Sequence, residues 1–229
     1  MFNGLAAAVA AQSMDWMTPQ PGGCLFDLDG LLLDTEPIHA QAWREAIRHF
    51  GGEASEELLL SLRGRNKYDN ARAVITSLKL PISSDELLAQ QQPRARAKVG
   101  SAAPMPGAID LVERCRVLAI PMAIATSSSQ QAATLKLDPH SWLEPVTVRV
   151  YGDDPSISAG KPAPDLFLEA ARRLGIPPQQ CWAFEDAVAG AEAAVAAGCR
   201  VFVVPAPGLG AHHYPDAVTL LERLDDLEL

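Results

Sequence analysis

Two aspartates separated by one residue end an apolar run near the start of the chain, in the segment Cys24-Leu25-Phe26-Asp27-Leu28-Asp29-Gly30. On an extended segment, side chains two residues apart point to the same side, so Asp27 and Asp29 would lie close together. Two neighbouring carboxylates raise each other's pKa unless a cation neutralises them or one of them keeps a proton. The pattern therefore predicts a divalent metal site, a reactive carboxylate, or both.

The motif Asp-x-Asp-Gly also occurs in calcium-binding loops and in solvent-exposed turns. A calcium loop needs further oxygen ligands at alternate positions and a glutamate that closes the loop. Leu31, Leu32 and Leu33 occupy those positions here, which excludes the calcium loop. The exposed turn stays open as an interpretation of this segment taken alone.

Hydroxyl side chains follow a second apolar run, at Thr126-Ser127-Ser128-Ser129. Hydroxyls at the start of a helix usually cap the helix, but together with the free N–H groups they also suit a phosphate oxyanion. Further on, Lys161 lies between Gly160 and Pro162 on a stiff piece of backbone. It is either an ordinary surface lysine or a fixed positive charge for a phosphoryl group.

An acidic pair, Glu185-Asp186, closes a third apolar run, and such a pair alone is typical of a helix N-terminus. The combination indicates more, because Asp27, Thr126, Lys161 and Asp186 all follow predicted strands. In open parallel α/β sheets, the carboxyl ends of the strands form the edge at which ligands bind. Four unrelated helix caps at this edge are improbable, so the set indicates one site.

In this order, the four motifs resemble those of the haloacid dehalogenase superfamily, whose members are mostly Mg²⁺-dependent phosphatases. The resemblance implies that Asp27 attacks phosphorus and becomes an aspartyl phosphate. It implies that Asp29 is the general acid for the leaving alcohol and then the base that activates water. Thr126 and the Ser127 amide would hold the phosphoryl oxygens, and Lys161 would bridge phosphate and nucleophile.

The cofactor implied by the resemblance is Mg²⁺. Its ligands would be the side chains of Asp27 and Asp186 and the main-chain carbonyl of Asp29, with Glu185 close by. Waters and a phosphate oxygen would complete the octahedron that Mg²⁺ prefers. The late pair His212-His213 has no carboxylate or cysteine at ligand spacing, which favours a solvent loop over a metal site.

Apolar runs alternate with helical patterns along most of the chain. Alternation of this kind predicts an α/β fold with a doubly wound parallel sheet, with strands over about 22–28, 121–126, 146–150, 181–185 and 201–204. Between the first two strands, amphipathic patterns predict four helices, at His39–Phe50, Glu56–Leu62, Asn70–Leu78 and Asp85–Ala97. The pattern predicts a core domain over 20–36 and 104–229 with an all-helical insert over 37–103, and this insert resembles the cap domain of the phosphoglycolate-phosphatase and β-phosphoglucomutase branch of the family. The alanine run within residues 1–19 has no Lys or Arg before it, which argues against a signal peptide, and it is too short to span a bilayer. We therefore expect residues 1–19 to be a flexible extension.

Substrate contacts are expected from the cap. His39 lies where the resembling β-phosphoglucomutase carries a histidine, and Arg63-Gly64-Arg65-Asn66-Lys67 forms a basic loop where the family often binds substrate. The alternatives are that His39 is an ordinary residue of the first cap helix and that the basic loop is a solvated run of charges. The mutase has an arginine at the position of Lys67, and lysine cannot reproduce its bidentate grip on phosphate. This difference favours a phosphatase, with a sugar-phosphate mutase as the alternative and an inactive binding protein as the third.

Two further segments resemble one group of the family. Tyr151-Gly152-Asp153-Asp154-Pro155 and Phe184-Glu185-Asp186-Ala187 are similar to the group that contains pseudouridine-5′-phosphatase and glycerol-3-phosphatase. The resemblance implies a small phosphomonoester as substrate, such as a sugar phosphate, a polyol phosphate or a nucleotide-like compound.

The chain of 229 residues carries a net charge of −9, with a pI of about 5.0. Nucleic acids and anionic membranes are therefore poor partners, whereas a small anionic substrate is compatible with a local field set by metal and lysine. The four cysteines form no CxxC pair, which favours reduced thiols in a cytoplasmic protein. We expect a monomer or a weak homodimer.

Overall fold

The computed structural model describes residues 20–229, so the extension expected over 1–19 lies outside the described residues. Within them, six strands form one parallel sheet, and eight α-helices connect or flank the strands. The strands are β1 Gly23–Phe26, β2 Met122–Ala125, β3 Val148–Val150, β4 Cys181–Glu185, β5 Arg200–Val203 and β6 Val218–Leu220. The helices are α1 Glu36–His49, α2 Glu56–Ser61, α3 Lys67–Leu78, α4 Ser84–Arg96, α5 Ala108–Val117, α6 Gln130–Leu137, α7 Asp165–Leu174 and α8 Val188–Ala196.

The strand order is β3-β2-β1-β4-β5-β6, and every neighbouring pair is parallel. Chain order therefore reverses direction between β1 and β4, which is the switch point of a doubly wound sheet. The predicted fold class is confirmed. At such a point the loops after two neighbouring strands diverge and leave a crevice, and here these loops begin with Asp27 and Asp186.

Side chains of β1 alternate between two apolar cores, one on each face of the sheet. Cys24 and Phe26 belong to the core covered by α5 and α6, whereas Leu25 belongs to the core covered by α7 and α8. Because each face is buried, the central strands are continuous apolar runs, as parallel sheets require. This double burial holds the carboxyl end of β1 rigidly in place.

Apart from shifts of one residue, the sheet departs from the sequence prediction at three strands, of which β3 begins at Val148, two residues after its predicted start. Strand β6 was not predicted, because its three residues are mostly exposed at the sheet edge and form no apolar run. Strand β1 ends at Phe26, two residues before the predicted end. The chain turns there through Gly30, whose φ of +85° is in the left-handed region that favours glycine.

Helices α1 to α4 lie between β1 and β2, as predicted, but α1 and α3 begin three residues early. In α1 the cause is Pro37, whose fixed φ suits the first turn. In α3 the cause is Asn66, whose side chain accepts the N–H groups of Tyr68 and Asp69, each at 3.0 Å. The four helices enclose their own apolar cluster, which contains Trp43, Ala46, Ile47, Leu59, Leu62, Ala71, Val74, Leu87 and Leu88.

In the part of the chain that is described, none of the helices combines the length and the apolar character needed to cross a membrane.

Candidate active site

Asp27 is the first residue after β1 and is only 4% exposed. Its N–H donates to the Phe184 carbonyl at 3.0 Å, which ties the loop to β4. Burial, together with the negative charges of Glu185 and Asp29, raises the pKa of Asp27 to about 7, although the positive charge of Lys161 opposes the rise. A carboxylate in this place needs more positive charge than the protein itself supplies.

Lys161 is the cation closest to Asp27. Its ammonium donates to Asp27 Oδ1 and to Glu185 Oε1, each at 2.5 Å, and the residue is 1% exposed. Burial lowers the pKa of Lys161, but the charges of Asp27 and Glu185 outweigh burial and raise it above its ordinary value. The predicted fixed positive charge is therefore present beside the predicted nucleophile.

Asp27, Glu185 and Asp186 form an acidic cluster, in which each residue offers a carboxylate oxygen within 4.8 Å of the others. Asp186 Oδ1 is buried and has no hydrogen-bond partner. Burial, followed by the charges of Glu36 and Glu185, raises the pKa of Asp186 well above its ordinary value. The Lys161 ammonium contacts only two of the three carboxylates, those of Asp27 and Glu185, so the cluster fits a hard divalent cation with oxygen ligands such as Mg²⁺.

Glu185 differs from Asp186 in that both of its oxygens already have protein partners. Oε1 accepts from Lys161 at 2.5 Å, and Oε2 accepts from the N–H groups of Asp186 and Ala187 at 3.1 and 3.3 Å. A Cβ at Gly190 would lie 1.9 Å from Glu185 Oε1, so the first turns of α8 leave room for this carboxylate only because glycine is there. Glu185 therefore fixes the Lys161 ammonium, and it also lies beside the place where the acidic cluster could hold a metal.

The predicted phosphate-binding residues lie in the loop between β2 and α6. Thr126 is buried, and its Oγ1 accepts the Ser128 N–H at 3.1 Å. The Ser127 hydroxyl donates to the Gly64 carbonyl at 3.0 Å and so links this loop to the loop before α3. Helix α6 begins at Gln130, with Ser129 as its N-cap.

Asp29 is surrounded by donors. Thr35 Oγ1 donates to Oδ1 at 2.6 Å and Ser128 Oγ donates to Oδ2 at 2.9 Å, while Lys136 Nζ lies 2.6 Å from both oxygens. His39 Nε2 lies 3.4 Å from Oδ1. Burial raises the pKa of Asp29, but the charge of Lys136, the hydrogen bond from His39 and the charge of His39 outweigh it and hold that pKa well below its usual range.

Sequence reasoning missed Lys136, Thr35 and Ser128 as contacts of Asp29. A signal for Lys136 exists in the sequence, because Ala133, Lys136 and Leu137 have the spacing of one helix face and are the buried residues of α6. A lysine in an apolar stripe indicates a buried partner of opposite charge. The sequence alone does not show which acid that partner is.

The candidate cap residues face the same space as the core residues. A cavity of about 510 Å³ lies between α1 to α4 and the sheet edge. Arg63 pairs with Glu36 at 3.1 Å, and the Lys67 ammonium lies 5.4 Å from the centre of the Tyr68 ring. The predicted site residues that line the cavity are Asp27, Asp29, His39, Arg63, Lys67, Thr126 and Ser127. The other predicted site residues, Lys161, Glu185 and Asp186, do not line the cavity. Lys161 contacts Asp27, and the carboxylates of Glu185 and Asp186 lie close to it.

The chain matches the haloacid dehalogenase-like hydrolases over residues 22–198 and therefore belongs to this family. A probable pseudouridine-5′-phosphatase of Drosophila melanogaster is 35% identical over 209 residues, which cover 90% of each chain. (DL)-glycerol-3-phosphatase 2 of Arabidopsis thaliana is 33% identical over 210 residues, 89% of this chain and 88% of that one.

Among solved structures, CbbY of Rhodobacter sphaeroides in complex with phosphate has a TM-score of 0.75 at 26% identity, and the match covers 90% of this chain and 95% of that one. The family match and the phosphatase names of the relatives confirm the predicted enzyme class, a phosphoric monoester hydrolase.

Proposed function

We propose that the chain is a Mg²⁺-dependent phosphatase that hydrolyses a small phosphomonoester through an aspartyl phosphate on Asp27. The observation that carries the proposal is the contact of the buried Lys161 ammonium with Asp27, which lines a cavity of about 510 Å³. The relatives named as pseudouridine-5′-phosphatase and glycerol-3-phosphatase support a small phosphorylated substrate.

In the first step, an Asp27 oxygen attacks phosphorus and the ester P–O bond breaks. Protonated Asp29 gives its proton to the leaving alkoxide, so the alcohol departs neutral. A carboxylate is a weak nucleophile toward an anion, and Lys161 reduces the repulsion between Asp27 and the phosphoryl group. Thr126 and the N–H of Ser127 would hold the phosphoryl oxygens.

In the second step, Asp29 takes a proton from water while the water oxygen attacks phosphorus. The bond between phosphorus and Asp27 breaks, and inorganic phosphate leaves. Asp29 is then protonated again and ready for the next substrate. The lowered pKa of Asp29 supports its role as the base in this step.

For the metal, Asp27, Asp186 and the main-chain carbonyl of Asp29 would be the protein ligands. When bound, Mg²⁺ neutralises negative charge on the phosphoryl group and on the acidic cluster. Glu185 would act mainly by fixing Lys161, because both of its oxygens already accept hydrogen bonds.

The division into a core over 20–36 and 104–229 and a helical cap over 37–103 is part of the proposal. The separate apolar cluster of α1 to α4 supports it. The cap would bind the leaving group through His39, Arg63 and Lys67, which line the cavity. Asn70 lines it too, and its buried Oδ1 has no partner, which fits a leaving group with hydroxyl or N–H donors.

Release of inorganic phosphate from a panel of phosphomonoesters tests the function. The panel contains glycerol 3-phosphate, sugar phosphates, phosphoglycolate and nucleoside monophosphates, each with Mg²⁺ and with EDTA. We expect release from a few members, its loss with EDTA and its return with added Mg²⁺. Conversion of β-glucose 1-phosphate to glucose 6-phosphate without phosphate release would instead identify the mutase.

Binding of Mg²⁺ should stabilise the fold more at high pH than at low pH. Asp27 has a pKa of about 7 when folded and an ordinary one when unfolded, so the metal-free fold holds a proton that unfolding releases. Its stability therefore falls as pH rises between about 4 and 7. Mg²⁺ replaces this proton, and at 100 times its Kd it adds about 2.7 kcal/mol.

Thermal unfolding with EDTA or Mg²⁺, at about pH 5.5 and about pH 8, measures this difference. Ca²⁺ and Na⁺ at matched ionic strength serve as controls for specificity and for screening. An Mg²⁺ effect that is equal at both pH values would contradict the proposed contact with Asp27.

A further inference from the structure

Lys136 is a buried lysine that the proposed phosphatase mechanism does not use. It lies in the last turn of α6 and is 1% exposed. Its ammonium contacts both Asp29 oxygens at 2.6 Å and Ser128 Oγ at 2.7 Å. Among the described residues, Asp29 is the only acid within salt-bridge distance of it.

Stability alone does not explain a lysine in this position. A buried ion pair adds little net stability compared with apolar residues of similar volume, because both charges lose their water. The neighbours of Lys136 on the buried face of α6 are Ala133 and Leu137, so leucine or methionine would continue an apolar stripe. The lysine is better explained by what it does to Asp29.

The contacts give Asp29 one fixed orientation. Lys136 bridges its two oxygens, while Thr35 binds one of them and Ser128 the other. Ser128 Oγ also accepts from Lys136, so the hydroxyl is oriented with its proton toward Asp29. Proton transfer requires the carboxylate to be held to a fraction of an ångström, and a misplacement of about 1 Å can cost about 10²-fold in rate.

We propose that Lys136 is a positioning residue that orients the Asp29 carboxylate for its two proton transfers. Lys136 lines the cavity, but its ammonium is held by Asp29 and Ser128, and it acts through Asp29. The inference rests on the proposed role of Asp29 as acid and base.

The test is Lys136→Met with p-nitrophenyl phosphate, whose leaving group departs without a proton. Formation of the aspartyl phosphate, measured by kcat/KM, should change less than about fivefold, whereas its hydrolysis still needs Asp29, so kcat should fall about 10²-fold. Stopped-flow should then show a burst of p-nitrophenolate close to one equivalent per enzyme. A general loss of structure would lower kcat and kcat/KM together and give no burst.

Asp29→Asn is the reference variant and should show the same burst and the same separation of kcat from kcat/KM. The double variant should be no slower than Asp29→Asn alone, because Lys136 acts through that carboxylate. Lys98→Met, at an exposed lysine, is the matched control and should behave as wild type. If Lys136→Met does not fold, Ser128→Ala tests the same contact and should show a weaker form of the burst.

The outcomes separate the two proposals. If Asp29→Asn shows the burst but neither Lys136→Met nor Ser128→Ala does, the positioning role is wrong and the phosphatase mechanism stands. If Asp29→Asn retains wild-type kcat, the proposed role of Asp29 fails and the inference fails with it.

Discussion

Asp27→Asn is expected to lower kcat by about 10⁴-fold or more, because an amide cannot form the acyl phosphate. The variant should still fold. Asparagine removes one charge from a cluster in which burial raises the pKa of Asp27 to about 7, and Lys161 keeps Glu185 as its partner. Phosphate release with the best substrate of the panel measures the loss, and thermal unfolding confirms the fold.

Asp34→Asn is the matched control, since Asp34 is an exposed aspartate at the end of the same loop. It should retain wild-type activity. Wild-type turnover by Asp27→Asn would contradict the covalent mechanism, because the proposed mechanism has Asp27 alone attack phosphorus.

Lys161→Met should lower kcat/KM by about 10³-fold and destabilise the metal-free protein by about 3–5 kcal/mol. The large cost in stability has a specific cause, since the variant leaves the carboxylates of Asp27 and Glu185 buried without the ammonium between them. Denaturant unfolding with EDTA measures the free energy, and steady-state kinetics with Mg²⁺ measure the activity.

The double variant Lys161→Met/Glu185→Gln separates the two effects. Removing the second charge should restore part of the stability, because one buried carboxylate no longer lacks its partner, but it should not restore activity. Wild-type kcat/KM in Lys161→Met would contradict the role of Lys161 in phosphoryl transfer. Loss of activity without loss of stability would contradict the buried ion pairs.

The sequence by itself predicted which residues gather at the core site. Asp27, Thr126 and Asp186 each directly follow an apolar run, Lys161 lies in a short Gly-Lys-Pro motif further beyond a strand, and parallel strands bring such ends to one edge. The family and the doubly wound sheet followed from the same pattern. The central strands could be predicted from local sequence because both of their faces are buried in apolar cores, which makes each strand a continuous apolar run.

Other features were decided only by the tertiary structure. Strand β6 has no apolar pattern of its own and depends on pairing with β5. Lys136 and Asp29 are 107 residues apart, and only the packing of α6 beside the loop after β1 makes them partners. Both Glu185 oxygens accept hydrogen bonds whereas Asp186 Oδ1 has no partner, and no motif encodes this difference. Contacts between distant segments depend on the path of the whole chain, so residue types and spacing alone do not specify them.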